Sequence, residues 1–270
     1  MLKDITLGQF FPGDTVAHRL DPRTKILLVV LYIVALFCAK SLLAYGILTA
    51  VLAVCVRISR VGIKSLVRGL KPVVFIIVFT GILNLFFTPG EHILAELGFL
   101  RISAEGLQNA VFMVLRIMLL IMGTFLMTYT TSPIVLTDAI EQLLKPLGKL
   151  HFPVHELAMM MSIALRFIPT LIEETDKIMN AQKARGAMLD SGTMTERIKA
   201  LVPVLIPLFI SAFRRADELA MAMECRCYRG GDGRTRLKVL RCTRQDYIDL
   251  AVCIVCFALI LSSRLVFPNF

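Results

Sequence analysis

The chain has 270 residues, of which 57% are hydrophobic, and its mean hydropathy is +0.74. A soluble domain usually contains about 45–50% apolar residues, and the excess here lies in long runs, which excludes an ordinary soluble fold. Because unpaired backbone groups are too costly in lipid, these runs predict an all-α integral membrane protein. The net charge of +10 does not indicate nucleic-acid binding, because the basic residues gather beside the apolar runs, as in cytoplasmic loops of membrane proteins.

Residues 1–25 form a polar N-terminal arm, which we expect to be cytoplasmic. The first apolar stretch runs from Ile26 to Val56 and is interrupted only by Lys40. Each helical crossing needs about 20 apolar residues, so this stretch is long for one crossing and short for two. We predict a helical hairpin with Lys40 near the outer interface.

A basic cluster without any acidic residue follows the hairpin and contains Arg57, Arg60, Lys64, Arg68 and Lys71. Such a cluster predicts a cytoplasmic segment. The run 72–87 then crosses outward, and residues 106–128 return inward. The outer loop between them carries Glu91, Glu96 and Glu105 against a single Arg101. Four transmembrane helices are therefore predicted within residues 26–129.

Residues 130–245 are predicted to form a cytoplasmic domain, because basic residues are frequent there and apolar residues recur at helical spacing. One helix is expected at 154–186 and a second at 194–228, with Thr193-Met194-Thr195-Glu196 as the start signal of the second. Three prolines inside them should bend or break these helices: Pro169, Pro203 and Pro207. The apolar segment 201–213 is short for a crossing, and we expect it to lie on the membrane surface or against a partner.

The last section, residues 246–270, is predicted to be a single transmembrane helix. Its apolar run, 247–261, follows a strongly basic flank that should stay inside. The C-terminus should therefore lie outside, which gives about five transmembrane helices in total.

The two predicted cytoplasmic helices end in similar triplets, Ala184-Arg185-Gly186 and Cys225-Arg226-Cys227. A shift of 41 residues superposes Arg185 on Arg226, and it also superposes Asp176 on Asp217. Small flanking residues would let each end enter a groove on a partner, where a guanidinium could pair with carboxylates. Alternatively, each Arg could simply complement the helix dipole and cap carbonyls.

The chain resembles the transmembrane T component of energy-coupling factor transporters along nearly its whole length. The matching segments are Gly8-Gln9-Phe10, Pro12-Gly13-Asp14, 18–25 (HRLDPRTK), 130–133 (TTSP), 165–169 (LRFIP) and 181–186 (AQKARG). In that family two Ala-Arg-Gly-like triplets end crossed cytoplasmic coupling helices, and each triplet engages one ATP-binding-cassette ATPase. The second triplet departs from the pattern, since Cys225 and Cys227 replace Ala and Gly.

The resemblance implies a coupling subunit of a vitamin importer in a prokaryotic cell membrane. Its partners would be two ATPases and an interchangeable membrane-embedded substrate-binding subunit. The chain itself would be no enzyme and bind no cofactor, since ATP and Mg²⁺ belong to the ATPases. The Met159-Met160-Met161 run could contact the substrate-binding subunits, because methionine surfaces accept several partners, although core filling explains it equally well. The form shared among substrate subunits fits better than a dedicated cobalt, nickel or biotin form.

The sequence is less consistent with two other classes of function. A membrane-embedded lipid enzyme would need a polar cluster at the inner interface, and the candidates Asp138, Glu141, His155 and Glu156 form no motif. An ion-coupled carrier would show inverted repeats among its crossings, whereas the repeat here lies in the cytoplasmic section. His151 and His155 are not expected to bind metal. Arg116, inside an apolar run, is a candidate functional charge, although the favoured interpretation is that it pairs with another helix or reaches the cytoplasmic section.

Overall fold

The computed structural model describes residues 10–39, 41–88, 93–97, 100–150, 152–187, 193–231, 240 and 242–266. Of these, residues 10–136 and 240–266 form a first compact unit, and residues 137–231 form a second. The helices and strands, in chain order, are α1 (Val16–Arg19), α2 (Pro22–Cys38), α3 (Leu42–Ser59), α4 (Ile63–Leu70), α5 (Val74–Phe87), β1 (Ile93–Leu97), β2 (Leu100–Ser103), α6 (Ala104–Thr130), α7 (Pro133–Leu144), α8 (Val154–Ala184), α9 (Met194–Cys225) and α10 (Arg244–Val266).

The predicted hairpin is confirmed, because α2 and α3 are two separate helices joined by a short connection. Helix α2 begins at Pro22, inside the segment that the sequence assigned to the polar arm. Asp21 explains this earlier start, since its side chain accepts a 2.9 Å hydrogen bond from the Arg23 N–H while Pro22 occupies the first helical position. Lys40 lies outside the described residues.

The segment between α5 and α6 is more ordered than the predicted outer loop. Strands β1 and β2 pair antiparallel, with Glu96 opposite Arg101 in the register. The strands are too short to produce a recognisable alternation, which is why the sequence did not predict them. Ser103 then starts α6, because its hydroxyl accepts a 3.0 Å bond from the Gly106 N–H. Glu91 lies outside the described residues.

The core of the first unit lies where α2, α3, α6 and α10 meet. Tyr32, Leu36, Tyr45 and Leu48 are buried there, together with Ile260 of α10. An ideal Cβ on Gly123 would come within 2.7 Å of the Tyr32 ring, so α6 can approach α2 this closely only with glycine at that position.

The charge inside the membrane is held by neighbouring helices, as the favoured interpretation of Arg116 predicted. Its Nε donates to the Tyr45 hydroxyl at 3.0 Å, and one terminal nitrogen donates to the Ala39 carbonyl at 3.3 Å. The guanidinium also lies 6.0 Å from the centre of the Phe37 ring. Arg116 therefore joins α6 to the α2–α3 hairpin by polar contacts that lipid cannot provide.

Five helical segments of the described chain are long and apolar enough to cross a bilayer: 42–59, 63–87, 104–130, 154–184 and 244–262. The number agrees with the sequence prediction, but the membership differs. Helix α2, with 17 residues, is not among the five, whereas α8 is. The cytoplasmic location of residues 130–245 stays a prediction.

The second unit is dominated by α8 and α9, whose predicted positions are correct to within three residues. Both helices continue through Pro169, Pro203 and Pro207 without interruption, so the prolines do not break them, and the predicted bend stays a prediction. The start signal of α9 is confirmed as a capping box, in which Glu196 accepts from the Thr193 N–H at 2.8 Å. Hydrogen bonds from the backbone N–H and the side chain of Thr193 hold the pKa of Glu196 below its usual value. The sequence did not predict α7 or the 3₁₀ segment Lys145–Leu150 that follows it.

Candidate functional site: the arginine ends of two paired helices

The two similar triplets adopt the same backbone conformation at the ends of α8 and α9. Arg185 and Arg226 are the residues directly after each helix, with φ/ψ of −84°/6° and −92°/13°. Each is followed by a left-handed residue, Gly186 at φ +87° and Cys227 at φ +56°. The sequence repeat is therefore also a structural repeat.

Two hydrogen bonds that close each end are equivalent, although the Arg185 N–H also donates to the Ala181 carbonyl at 3.2 Å and no matching bond from Arg226 is present among the described residues. At the end of α8, the N–H of Gly186 donates to the Lys183 carbonyl at 3.0 Å and that of Ala187 donates to Gln182 at 3.0 Å. At the end of α9 the corresponding donors, Cys227 and Tyr228, bond Glu224 at 2.8 Å and Met223 at 3.1 Å. Both ends are thus Schellman motifs, in which backbone N–H groups cap the last carbonyls.

The arginine side chains do not take part in this capping. Arg185 and Arg226 are exposed, and neither guanidinium forms a hydrogen bond or ion pair within the part of the chain that the structure describes. The flanking residues are exposed as well: Ala184, Gly186, Cys225 and Cys227. The interpretation of the arginines as carbonyl caps is therefore disfavoured, and both charges are available to a partner.

A charged contact marks where α8 and α9 cross. Glu174 of α8 accepts bonds of 2.9 and 3.2 Å from Arg215 of α9, and the Ser211 hydroxyl donates to the same carboxylate. Further along α8, the Gln182 amide donates to the Pro203 carbonyl at 3.2 Å. The second contact lies later in α8 but earlier in α9 than the first, so the two helices are antiparallel.

The contact between Glu174 and Arg215 joins equivalent positions of the repeat, because these two residues are also separated by 41 residues. Equivalent positions touch each other only near a local two-fold axis. Arg185 and Arg226 each follow the crossing residue of their own helix by about 11 positions, or about 17 Å at the rise of an α-helix. The two arginine ends therefore lie on opposite sides of the crossing, up to about 33 Å apart.

One position breaks the equivalence of the two ends. Glycine adopts a positive φ readily, whereas an L-residue in the left-handed region costs about 1–2 kcal/mol. Gly186 fits its position, but Cys227 carries a side chain in the same conformation. The end of α9 is therefore held together less strongly than the end of α8.

The remaining candidates of the second unit do not form a catalytic or metal centre within the described residues. Met160 and Met161 are exposed and Met159 is half-buried, so part of the Met159–Met161 run is accessible. His155 Nδ1 lies 3.0 Å from a Glu141 oxygen, but Asp138 and Glu156 are not part of this contact. No group of three metal-ligating side chains is present among the described residues. His151 lies outside the described residues.

The sequence did not anticipate that its arm signature builds a polar network in the first unit. Lys25 donates to the Thr130 carbonyl at 3.0 Å and to the Thr131 hydroxyl at 3.2 Å, so two separate sequence motifs meet. The Asp21 N–H donates to Asp246 of α10 at 2.8 Å. Lys25 is buried in the structure, but in the sequence it stands in a polar arm like any exposed basic residue, so no local signal indicated this network.

A second part of the network involves a thiol. Cys242 donates from its sulfur to Asp21 at 3.6 Å. Cys242 is exposed overall, and partial desolvation together with the nearby Asp21 carboxylate raises the pKa of its thiol. The network therefore ties the arm to the segment that enters α10.

These features define a class: a helical, multi-span membrane protein with a unit of two antiparallel helices whose exposed ends are alike. The sequence model of the CbiQ family, described as a cobalt transport protein, matches residues 13–237. The chain is 52% identical over 267 residues to the energy-coupling factor transporter transmembrane protein EcfT of Ruminiclostridium cellulolyticum, covering 99% of this chain and 100% of the relative.

Two further relatives carry the same name. The protein of Clostridium kluyveri is 54% identical over 263 residues, which covers 96% of this chain and 97% of the relative. The protein of Bacillus subtilis is 47% identical over 264 residues, which covers 98% of this chain and all of the relative. The chain belongs to the CbiQ family and, within it, to the energy-coupling factor transporter transmembrane proteins, as the sequence motifs indicated.

Proposed function

We propose that this chain is the membrane-embedded coupling subunit of an ATP-driven importer for a vitamin or similar micronutrient. In this role it passes the motion of two cassette ATPases to a separate substrate-binding subunit in the membrane. The observation that carries the proposal is the pair of equivalent, exposed arginine ends on α8 and α9, arranged about a local two-fold axis. Such an arrangement matches a pair of similar partners better than a single one.

The geometry suggests how force would be transmitted. Each arginine end lies about 17 Å along its helix from the contact between Glu174 and Arg215. When two ATPases close on ATP, they would move both arginine ends relative to that contact, and the helix pair would rotate or shear as a unit. The hydrolysis itself belongs to the ATPases, where ATP and Mg²⁺ are bound.

The docking chemistry follows from the exposed guanidinium groups. An Arg inserted into an acidic groove makes planar, two-pronged bonds to carboxylates. Loss of one partner from such a desolvated pair costs about 2–5 kcal/mol, because the other charge remains buried and unpaired. Arg185 and Arg226 would therefore act as the attachment points of the two ATPases.

The substrate-binding subunit would contact other surfaces. The exposed part of the Met159–Met161 run on α8 is the candidate contact, since methionine side chains adapt to several partners. The basic segment 57–71 and the N-terminal arm would lie in the cytoplasm, and the C-terminus would lie outside. The long N-terminal signature favours the form shared among several substrate subunits, whereas the description of the family model as a cobalt transport protein keeps a dedicated cobalt importer as the second candidate.

Reconstitution tests the proposal directly. The chain is placed in liposomes alone, with a substrate-binding subunit, and with that subunit plus both ATPases of its host. We expect uptake of the vitamin only in the last preparation and only with ATP. Uptake by the chain alone, driven by an ion gradient, would instead identify a carrier. Uptake with one substrate-binding subunit but not with any other would favour the dedicated form.

A further inference from the structure

We propose that α4 is an interfacial helix that binds the headgroups of acidic phospholipids, with Lys64 and Arg68 as the principal contacts. The partner is the membrane surface itself, and the proposal is independent of the docking of ATPases. Three observations support it: where α4 lies along the chain, how its faces are divided, and what charge surrounds it.

Helix α4 lies at the end of a membrane span. It leads through a single 3₁₀ turn, Lys71–Val73, into the strongly apolar α5, and residues 63–87 together form one of the five candidate spans. The side chains of α5 are largely exposed within the first unit, including Phe75 and Phe79. In a span these apolar surfaces face lipid, so α4 is placed where the hydrocarbon ends and the headgroups begin.

One side of α4 is fixed against the protein. Leu66 and Leu70 are buried, and the Tyr129 hydroxyl of α6 donates to the Ser65 carbonyl at 3.3 Å. Gly69 allows the close approach of α6, because an ideal Cβ there would come within 2.5 Å of the Phe125 ring. The orientation of α4 around its own axis is therefore determined by its contacts with α6.

The outward side of α4 combines an apolar strip with a basic strip. Ile63 and Val67 are 67% and 54% exposed, and they lie one helical turn apart. Lys64 and Arg68 follow them by one position each, so the basic strip runs beside the apolar strip. A helix divided in this way lies in the interface, with its apolar strip in the acyl region and its cations at the headgroups.

The charge around α4 is of one sign. Residues 57–71 contain five basic residues and no acidic one. Lys64 and Arg68 are exposed, and within the described part of the chain neither makes an ion pair or a hydrogen bond. A basic cluster at the edge of a span attracts anionic lipid. The apolar strip belongs to the same candidate span, 63–87, as the exposed apolar side chains Val74 and Phe75 of α5. Exposed apolar surface beside exposed cations at a span end favours a lipid over a soluble acidic protein as the occupant.

The absence of tryptophan from the sequence makes a local test possible. In a Val67→Trp variant the only indole lies on the apolar strip of α4, and in a matched Phe87→Trp variant it lies at the far end of α5, where Phe87 is 77% exposed. Quenching by brominated phosphatidylglycerol is compared with quenching by brominated phosphatidylcholine for each variant. The ratio of the two lipid association constants is the measured quantity.

We expect Val67→Trp to prefer phosphatidylglycerol by at least about fivefold and Phe87→Trp to show no such preference, since each basic residue near the surface contributes about a fivefold factor. Adding Lys64→Gln and Arg68→Gln to Val67→Trp should remove most of the preference, whereas adding Lys145→Gln and Lys149→Gln should not. Free phosphate should not compete with the lipid.

Three results would overturn the proposal. One is an equal preference at both reporter positions, and another is a preference that survives the Lys64 and Arg68 substitutions. The third is an absence of quenching by either lipid at Val67→Trp, which would mean that protein or water covers the apolar strip. Because both basic side chains are exposed, their replacement by Gln should leave the fold intact, and retained helical circular dichroism would verify this.

Discussion

Replacing Cys227 by Gly should make the end of α9 as stable as the end of α8. The left-handed conformation at φ +56° costs an L-residue about 1–2 kcal/mol. The substitution also adds backbone freedom to the unfolded state, which costs about 0.4–1 kcal/mol. The difference predicts a net stabilisation of the helix end by about 1 kcal/mol.

Hydrogen exchange measures this local stability in the purified, detergent-solubilised protein. The amide protons of Cys227 and Tyr228 donate the two bonds that close α9, and a stabilisation of about 1 kcal/mol slows their exchange about fivefold if they exchange by local opening. The mirror substitution, Gly186→Cys, should accelerate exchange at Ala187 by a similar factor.

Cys225→Ala is the matched control for Cys227→Gly. It removes a thiol from the same end of α9 but leaves the left-handed residue unchanged. Exchange at the end of α9 should therefore be nearly unaffected. Equal protection by Cys225→Ala and Cys227→Gly, or no protection by Cys227→Gly, would show that the left-handed residue does not limit the stability of this end.

Three further predictions concern contacts within each unit. Glu174→Gln and Arg215→Gln should show a coupling energy of about 0.5–1 kcal/mol in a double-mutant cycle of unfolding, since the pair is partly exposed; additive effects would argue against a fixed crossing. Lys25→Met should lower the unfolding free energy by about 1–3 kcal/mol, because two buried acceptors lose their donor, and an unchanged melting temperature would refute this. The thiol of Cys242, with its raised pKa, should react slowly with a maleimide near neutral pH and faster as the pH rises, because the thiolate is the reactive form. Asp21→Asn should accelerate the reaction at a fixed pH. An unchanged rate would mean that the Asp21 carboxylate does not raise the pKa of the thiol.

Much of the helical organisation was predictable because local signals were strong. The length of the stretch from Ile26 to Val56 implied a hairpin, and Thr193 with Glu196 marked the start of α9 to the residue. The sequence predicted a bend or a break at Pro169, Pro203 and Pro207, whereas both helices run through all three without interruption. Tertiary context routinely overrides local propensity, which is all that the sequence pattern measures.

The candidate site was predictable in composition but not in geometry. The repeat of Arg185 and Arg226 was visible in the sequence, whereas the two shared capping bonds depend on the backbone conformation. The contact between Glu174 and Arg215 was not visible, because these two side chains have opposite charges and do not look like a repeat. The network around Lys25 joins segments about 100 residues apart, a distance that local patterns do not cover.

The docking of ATPases at the two arginine ends is the central claim, and a pull-down with the host's cassette ATPases tests it most directly. Wild type is compared with Arg185→Glu, Arg226→Glu, the double variant, and Arg214→Glu as an exposed-arginine control on α9. We predict two ATPases on wild type and on the control, weaker retention by each single variant, and none on the double variant. Retention of both ATPases by the double variant would contradict the account.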